Sequence, residues 1–124
     1  MTTATMAPTS QLLEEYYERL ARRSAWEELV ADDICFIGPN TRTDGKAAFI
    51  RANHQFVQGV RSFEVKQRLS DGNTACAWVT YQLVSPKGTR AELDVVEIWR
   101  AADGKLDQMT IYFDTAAFRG FMQS

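Results

Sequence analysis

One carboxylate stands where the pattern of its strand calls for a hydrocarbon. In the run Thr89–Arg100 one row reads Ala91, Leu93, Val95, Glu97 and Trp99, and the other Arg90, Glu92, Asp94, Val96, Ile98 and Arg100. Strand side chains alternate between faces, so Glu97 shares an otherwise apolar face and is expected among groups hidden from water. Burial disfavours the charged form, which would make Glu97 a proton donor or a general acid; a salt bridge to an arginine of the next strand is the structural alternative. Tyr16 lies in the middle of a helical apolar stripe, where its phenol either donates to a ligand oxygen or is tied to the backbone. Asn53 lies at the centre of another helix's apolar face. It must find a partner, because an unpaired buried amide costs about 1–3 kcal/mol, so it either binds a ligand or bridges helix to sheet. His54 falls on the flank of that helix and reads as a surface residue.

Other chemistries lack their residues. The one histidine of the chain lies on a helix flank, so no Ser/His/Asp set can be assembled around it; no His/Cys/Asp cluster has metal-ligand spacing, and no glycine-rich loop is built for phosphate. No metal and no cofactor is expected. Lysine and arginine are scattered and the net charge is -2, which argues against nucleic acid as a partner. Cys35 and Cys76 sit in apolar strand-like runs without Cys-x-x-Cys spacing, and they read as buried reduced thiols of a cytoplasmic protein, a disulfide between them remaining open. The first residues lack the basic start and apolar stretch of a signal peptide, and no apolar run reaches the roughly 20 residues of a membrane helix.

The elements that must position these residues follow from periodicity. At 124 residues the chain is sized for one core with a modest cavity. We expect a flexible arm over 1–9 and a single domain over 10–124. Leu12, Leu13, Tyr16 and Leu20 form one stripe of a helix over Gln11–Arg22. Ser24 and Glu27 have capping-box spacing and announce a second helix ending near Ala31-Asp32-Asp33. Ile34–Ile37 is a short strand, stopped by Gly38-Pro39-Asn40. Thr43 or Asp44 can cap a third helix, Lys46–Gln58, whose apolar face is Phe49, Ile50, Phe56 and Val57. Four strands follow, Arg61–Leu69, Thr74–Val84, Thr89–Arg100 and Leu106–Asp114, the last two joined by Asp103-Gly104, a strong hairpin signal. Asp114 reads as the N-cap of a final turn. Helices gathered ahead of an antiparallel meander predict an α+β domain: a cone-shaped, curved antiparallel sheet packed around three N-terminal helices, with a pocket between the layers.

In this order of elements the chain resembles the nuclear-transport-factor-2-like superfamily, in particular its SnoaL-like and ketosteroid-isomerase-like bacterial branch. The carriers are Leu29-Val30-Ala31-Asp32-Asp33, Thr43-Asp44-Gly45-Lys46, Glu97-Ile98-Trp99-Arg100 with Asp103-Gly104-Lys105-Leu106, and Ile111-Tyr112-Phe113-Asp114. The resemblance implies a small-molecule pocket, with Tyr16 and Glu97 at positions matching the tyrosine and protonated acid of ketosteroid isomerases. Those isomerases carry their general-base aspartate before a proline, where this chain has Gly38 before Pro39. Epoxide hydrolases of the superfamily need charges where this chain presents Trp78, Thr80, Ile111, Phe36 and Gly38, and dehydratases need paired histidines. The candidate catalytic residues are therefore Glu97 and Tyr16, and the candidate ligand-binding residues are Asn53, Phe36, Phe56, Trp78, Thr80, Trp99, Ile111 and Phe113. The resemblance turns the Trp78 row of its strand toward the pocket and leaves Ala75, Ala77, Val79 and Tyr81 for a partner subunit; the residues alone allow the reverse. The expected function is binding of a mostly apolar organic molecule, with isomerase, cyclase or lyase chemistry that needs no cofactor. The alternative is a non-catalytic ligand-sequestering or interaction module whose cavity is filled by Trp78, Trp99 and Phe113. A homodimer through the sheet faces is expected in either case, without membrane or nucleic acid.

Overall fold

The computed structural model describes residues 8–123. Of the arm expected over 1–9, residues 1–7 lie outside the described residues, and Thr9 is already buried at the start of helix α1 (Thr9–Arg22). This helix buries two adjacent rows, Leu12–Tyr16–Leu20 and Leu13–Tyr17–Leu20, because i, i+4 and i+3 spacing stacks side chains on one face. It ends where Arg23 turns left-handed at φ 57, and Ala25 follows at φ 63. The Arg23 guanidinium donates to the carbonyl oxygens of Val57, at 3.3 Å, and Val60, at 2.7 Å, pinning the helix end to the start of a distant strand.

The second helix is a correction. Trp26–Leu29 makes one 3-10 turn, with left-handed Ala25 at its start and no side-chain cap. Val30 is already extended, so Ala31, Asp32 and Asp33 belong to strand β1 (Val30–Gly38). The turn at Pro39-Asn40 leads into β2 (Thr41–Asp44), a strand in place of the expected cap residues. Helix α2 (Lys46–Val57) opens on Gly45 at φ 98 with no side-chain cap; that left-handed backbone suits glycine. Then come β3 (Val60–Asp71), β4 (Thr74–Val84), β5 (Arg90–Ala102) and β6 (Lys105–Phe113). Asp103 and Gly104, both at positive φ, form the tight turn between β5 and β6. Helix α3 (Thr115–Met122) is capped as expected, with Asp114 Oδ1 accepting from the Ala117 N–H at 3.0 Å.

The six strands form one curved sheet in the order β2-β1-β6-β5-β4-β3. The α+β class holds, with two differences from expectation. Strand β1 runs parallel to β6 while all other neighbours are antiparallel, and one of the three helices is C-terminal. The faces of β4 are the reverse of those the resemblance implied. Ala75, Ala77, Val79, Tyr81 and Leu83 are buried in the core with the apolar rows of α1, while Trp78 is 44% exposed on the other face. Hydrophobic burial decides this: the wholly apolar row gains more by facing the helices than the row of Thr74, Cys76, Trp78, Thr80 and Gln82 would. Cys35 and Cys76 are half-buried, free, and in strands separated by β6 and β5, roughly 14 Å at usual strand spacing and beyond disulfide reach. Among the described residues no helix is long and apolar enough to cross a membrane.

Candidate functional site

Between the concave face of the sheet and the helices lies a cavity of about 490 Å³. Its floor consists of buried side chains, Tyr16, Phe49, Val95, Glu97 and Met109, and its mouth of exposed ones, Asn40, Thr41, Arg119 and Met122. Strand parity explains the floor, since Leu93, Val95 and Glu97 are successive inward positions of β5 and face Phe113 and Ile111 of β6 in register. Helix α2 contributes Phe49, Ala52, Asn53 and Phe56 at helical spacing, and α3 contributes Thr115, Phe118, Arg119 and Met122.

Glu97 is 3% exposed. Among the described residues it has no arginine partner; the salt-bridge alternative is not what the fold provides. Instead the phenol of Tyr17 donates to Oε1 and that of Tyr81 to Oε2, the latter at 2.6 Å. The indole N–H of Trp99 donates to Tyr17 Oη at 3.1 Å, so the chain runs Trp99, Tyr17, Glu97, Tyr81. Burial pushes the Glu97 carboxyl up to about 7, while the two phenols, by bonding its charged form, hold it below where burial alone would put it. Tyr17 and Tyr81 are raised well above the ordinary tyrosine range, first by burial and then by the negative charge of Glu97. They remain donors at every physiological pH. Tyr16 is raised for the same reasons, and its hydroxyl accepts from Asn53 Nδ2 at 2.9 Å. The Asn53 amide therefore bridges helix α2 to helix α1, where a bridge from helix to sheet was one of the two expectations, and it orients a cavity hydroxyl.

The fold brings together Glu97, Tyr16, Asn53, Phe36, Phe56, Ile111 and Phe113 around one cavity. Three expected ligand contacts are corrections. Trp78 and Thr80 face the opposite side of the sheet, where both donate to Asp94 Oδ1, at 3.0 and 2.5 Å, and hold that carboxyl below its usual range. Trp99 is fully buried behind the floor, its ring 4.7 Å from Tyr16 and 6.5 Å from Phe49, and does not line the cavity. Gly38 does line it. A side chain there would meet Thr41 Cγ2 at 3.1 Å and Ile111 Cγ1 at 3.6 Å, so the wall is closed by hydrocarbon where the isomerases carry a base.

Sequence reasoning missed Tyr17 and Tyr81. Tyr17 was legible as i+4 from Leu13 and three before Leu20, a second stripe as good as the first. Tyr81 was assigned outward with its row. A direct check on this network is the Tyr17→Phe variant, in which loss of a donor to the charged form moves the Glu97 carboxyl above about 7. Carboxyl carbon-13 titration of the variant and wild type measures it, and an unchanged or lowered value would remove Tyr17 from the network.

Comparison with known proteins agrees with this architecture. A nuclear-transport-factor-2-like protein of unknown function from Burkholderia pseudomallei superposes with a TM-score of 0.85 at 19% identity, covering 96% of this chain and 100% of that one. TerC, co-crystallized with polyporic acid, gives 0.80 at 21% identity over 95% and 100%. A candidate polyketide cyclase from Xanthomonas campestris gives 0.79 at 18% identity over 92% and 96%. No curated protein matches the chain significantly. The SnoaL-like domain family matches residues 13–109, from within α1 to the middle of β6, and the chain belongs to that family.

Proposed function

We propose that the cavity binds a small, mostly apolar organic molecule and that Glu97 exchanges a proton with it, as a cofactor-independent isomerase, cyclase or lyase would require. The observation that carries this reading is a buried carboxyl, pushed up to about 7, in the floor of a mostly apolar cavity. A group half ionised near neutrality can both give and accept a proton, which is where acid–base catalysis is most effective. Tyr16, oriented by Asn53, supplies a hydroxyl beside it for a substrate oxygen. The space is open, with Trp78 outside it and Trp99 behind it, which counts against a cone filled by its own side chains. A protein of this fold co-crystallized with polyporic acid supports a small organic ligand. A cytoplasmic setting suits two separated, free cysteines.

The rival is a sequestering module of the same fold. Two observations favour it: Gly38 replaces the isomerase base, and both Glu97 oxygens already accept phenols. Native mass spectrometry of protein purified from its own host identifies any retained molecule. Incubating that molecule with the protein in deuterated water then separates the readings. Deuterium incorporation that Glu97→Gln abolishes without loss of binding is expected; binding without incorporation in wild type would establish sequestration.

We also propose a two-fold dimer through the sheet backs, on the face opposite to the one first expected. That face carries Leu69, Trp78, Val96 and Tyr112, exposed by 64, 44, 38 and 58%, with Cys76 and Ile98 between them. Along β5 the same face runs from Glu92 and Asp94 through Val96 and Ile98 to Arg100, so an antiparallel second copy lays its basic end on the acidic end of the first. Sedimentation at micromolar concentration is expected to give a dimer that Val96→Glu dissociates; a wild-type monomer would refute it.

A further inference from the structure

Among the described residues the cavity wall carries formal charge at two places, Glu97 in the floor and Arg119 at the mouth; the rest is aromatic, aliphatic or neutral. Arg119 lies in the last turn of α3, and among the described residues it has no carboxylate partner within ion-pair distance, whereas Arg19, Arg42 and Arg100 each have one. Helix α3 itself is amphipathic in an unusual place. None of its residues is buried, yet Phe118 and Phe121 pack against the core cluster, Phe118 with its ring 5.5 Å from that of Phe113. Capped by Asp114 and held by these rings, the helix sets Arg119 at the mouth of a mostly apolar chamber. An arginine presents a planar fork of donors that matches a carboxylate or sulfonate, and next to low-dielectric walls its attraction for an anion is greater than in open water.

Resting on the ligand-binding reading above, we propose that the ligand is an amphipathic organic anion: a ring body in the apolar chamber, an oxygen function at the Tyr16–Glu97 floor, and a carboxylate or comparable anionic group held by Arg119 at the mouth. Arg119 is then the residue that sets ligand class, selecting acids over neutral compounds of the same shape. The two charges also fix direction. The acidic group of the ligand is repelled from the floor whenever Glu97 is ionised and drawn to the mouth, so the molecule enters ring first.

The test uses a matched pair of fluorescent probes, 8-anilinonaphthalene-1-sulfonate and its uncharged parent N-phenyl-1-naphthylamine, titrated at low salt into wild type and three variants. Arg119→Met is expected to weaken sulfonate binding about tenfold, the value of one well-placed charged contact, and to leave the parent within about twofold of wild type. Arg119→Lys is expected to keep most of the sulfonate affinity, and added salt to erode it in wild type but not in Arg119→Met. Ala52→Trp, which fills the chamber from α2, is expected to abolish binding of both probes. If Arg119→Met weakens both probes equally, or neither, the selection of anions by Arg119 is overturned while the cavity reading stands. If wild type binds neither probe, or Ala52→Trp binds both unchanged, the cavity reading itself falls and the anion proposal with it.

Discussion

At pH 8 the Glu97→Gln variant is expected to be more stable than wild type, and below pH 4 the two should coincide. The folded protein holds the Glu97 proton more tightly than the unfolded chain does, with the carboxyl displaced from 4.5 to about 7 mainly by burial. Wild-type stability from this group is therefore complete below about pH 4.5, falls as pH rises toward 7 and is level above, a loss on the order of 3 kcal/mol. Glutamine cannot ionise and escapes that loss. Its amide fits the same partners: the carbonyl accepts from Tyr17, which is held as a donor by Trp99, and the NH₂ donates to Tyr81, whose hydroxyl is free to turn. Urea unfolding of both proteins from pH 4 to pH 8 is the measurement. A variant less stable than wild type at pH 8 would mean that the carboxylate is a structural anchor, and Glu97 would be abandoned as the acid.

Trp99→Ala should bring the domain close to unfolding. The side chain is fully buried, packs tilted against Tyr16 and edge-on against Phe49, and gives its N–H to Tyr17. Removing a buried tryptophan costs about 3–5 kcal/mol, against a total stability of about 5–15 kcal/mol for an ordinary domain. Trp99→Phe separates packing from hydrogen bonding, since it keeps most of the ring and loses the donor. Its expected signature is a smaller loss of stability together with a higher Glu97 value, because a Tyr17 no longer polarised by the indole donates less strongly to the carboxylate. A Trp99→Ala protein within about 1 kcal/mol of wild type by denaturant midpoint would place the ring outside the core.

How far the fold could be read in advance depended on how local its determinants are. Strand β4 was legible to the residue because Gly72-Asn73 and Pro86-Lys87-Gly88 punctuate it on both sides, and Asp103-Gly104 announced a turn whose two positive φ angles leave little alternative. Glu97 was visible because a period of two makes one misplaced charge conspicuous. The orientation of β4 was not, because its rows differ by degree: Ala75, Ala77 and Val79 are small enough for either a helix layer or a partner subunit, and only the bulk of α1 decides. The 3-10 turn at Trp26 was hidden by Ala25, whose left-handed backbone no propensity foretells. The β1–β6 pairing joins residues from the two ends of the chain with no turn to mark it. Of α3 only the Asp114 cap and the turn it opens were read; Arg119 went unread because a short amphipathic helix acquires meaning only from the opening it stands beside.

The parallel pairing of β1 with β6 has a consequence for the order of events during synthesis. Val30 lies beside Leu106 and Phe36 beside Met109 in the parallel register, so β1, β2 and α2 emerge from the ribosome long before the strand that completes them. Until Lys105–Phe113 follows, Ile34, Phe36 and Phe49 have no sheet to join and the chamber has no far wall. Non-local pairing of this kind is slow to form and leaves apolar surface exposed meanwhile. A ribosome stalled in the β5–β6 turn holds a chain with Tyr16, Asn53, Tyr81 and Glu97 already made and no site at all.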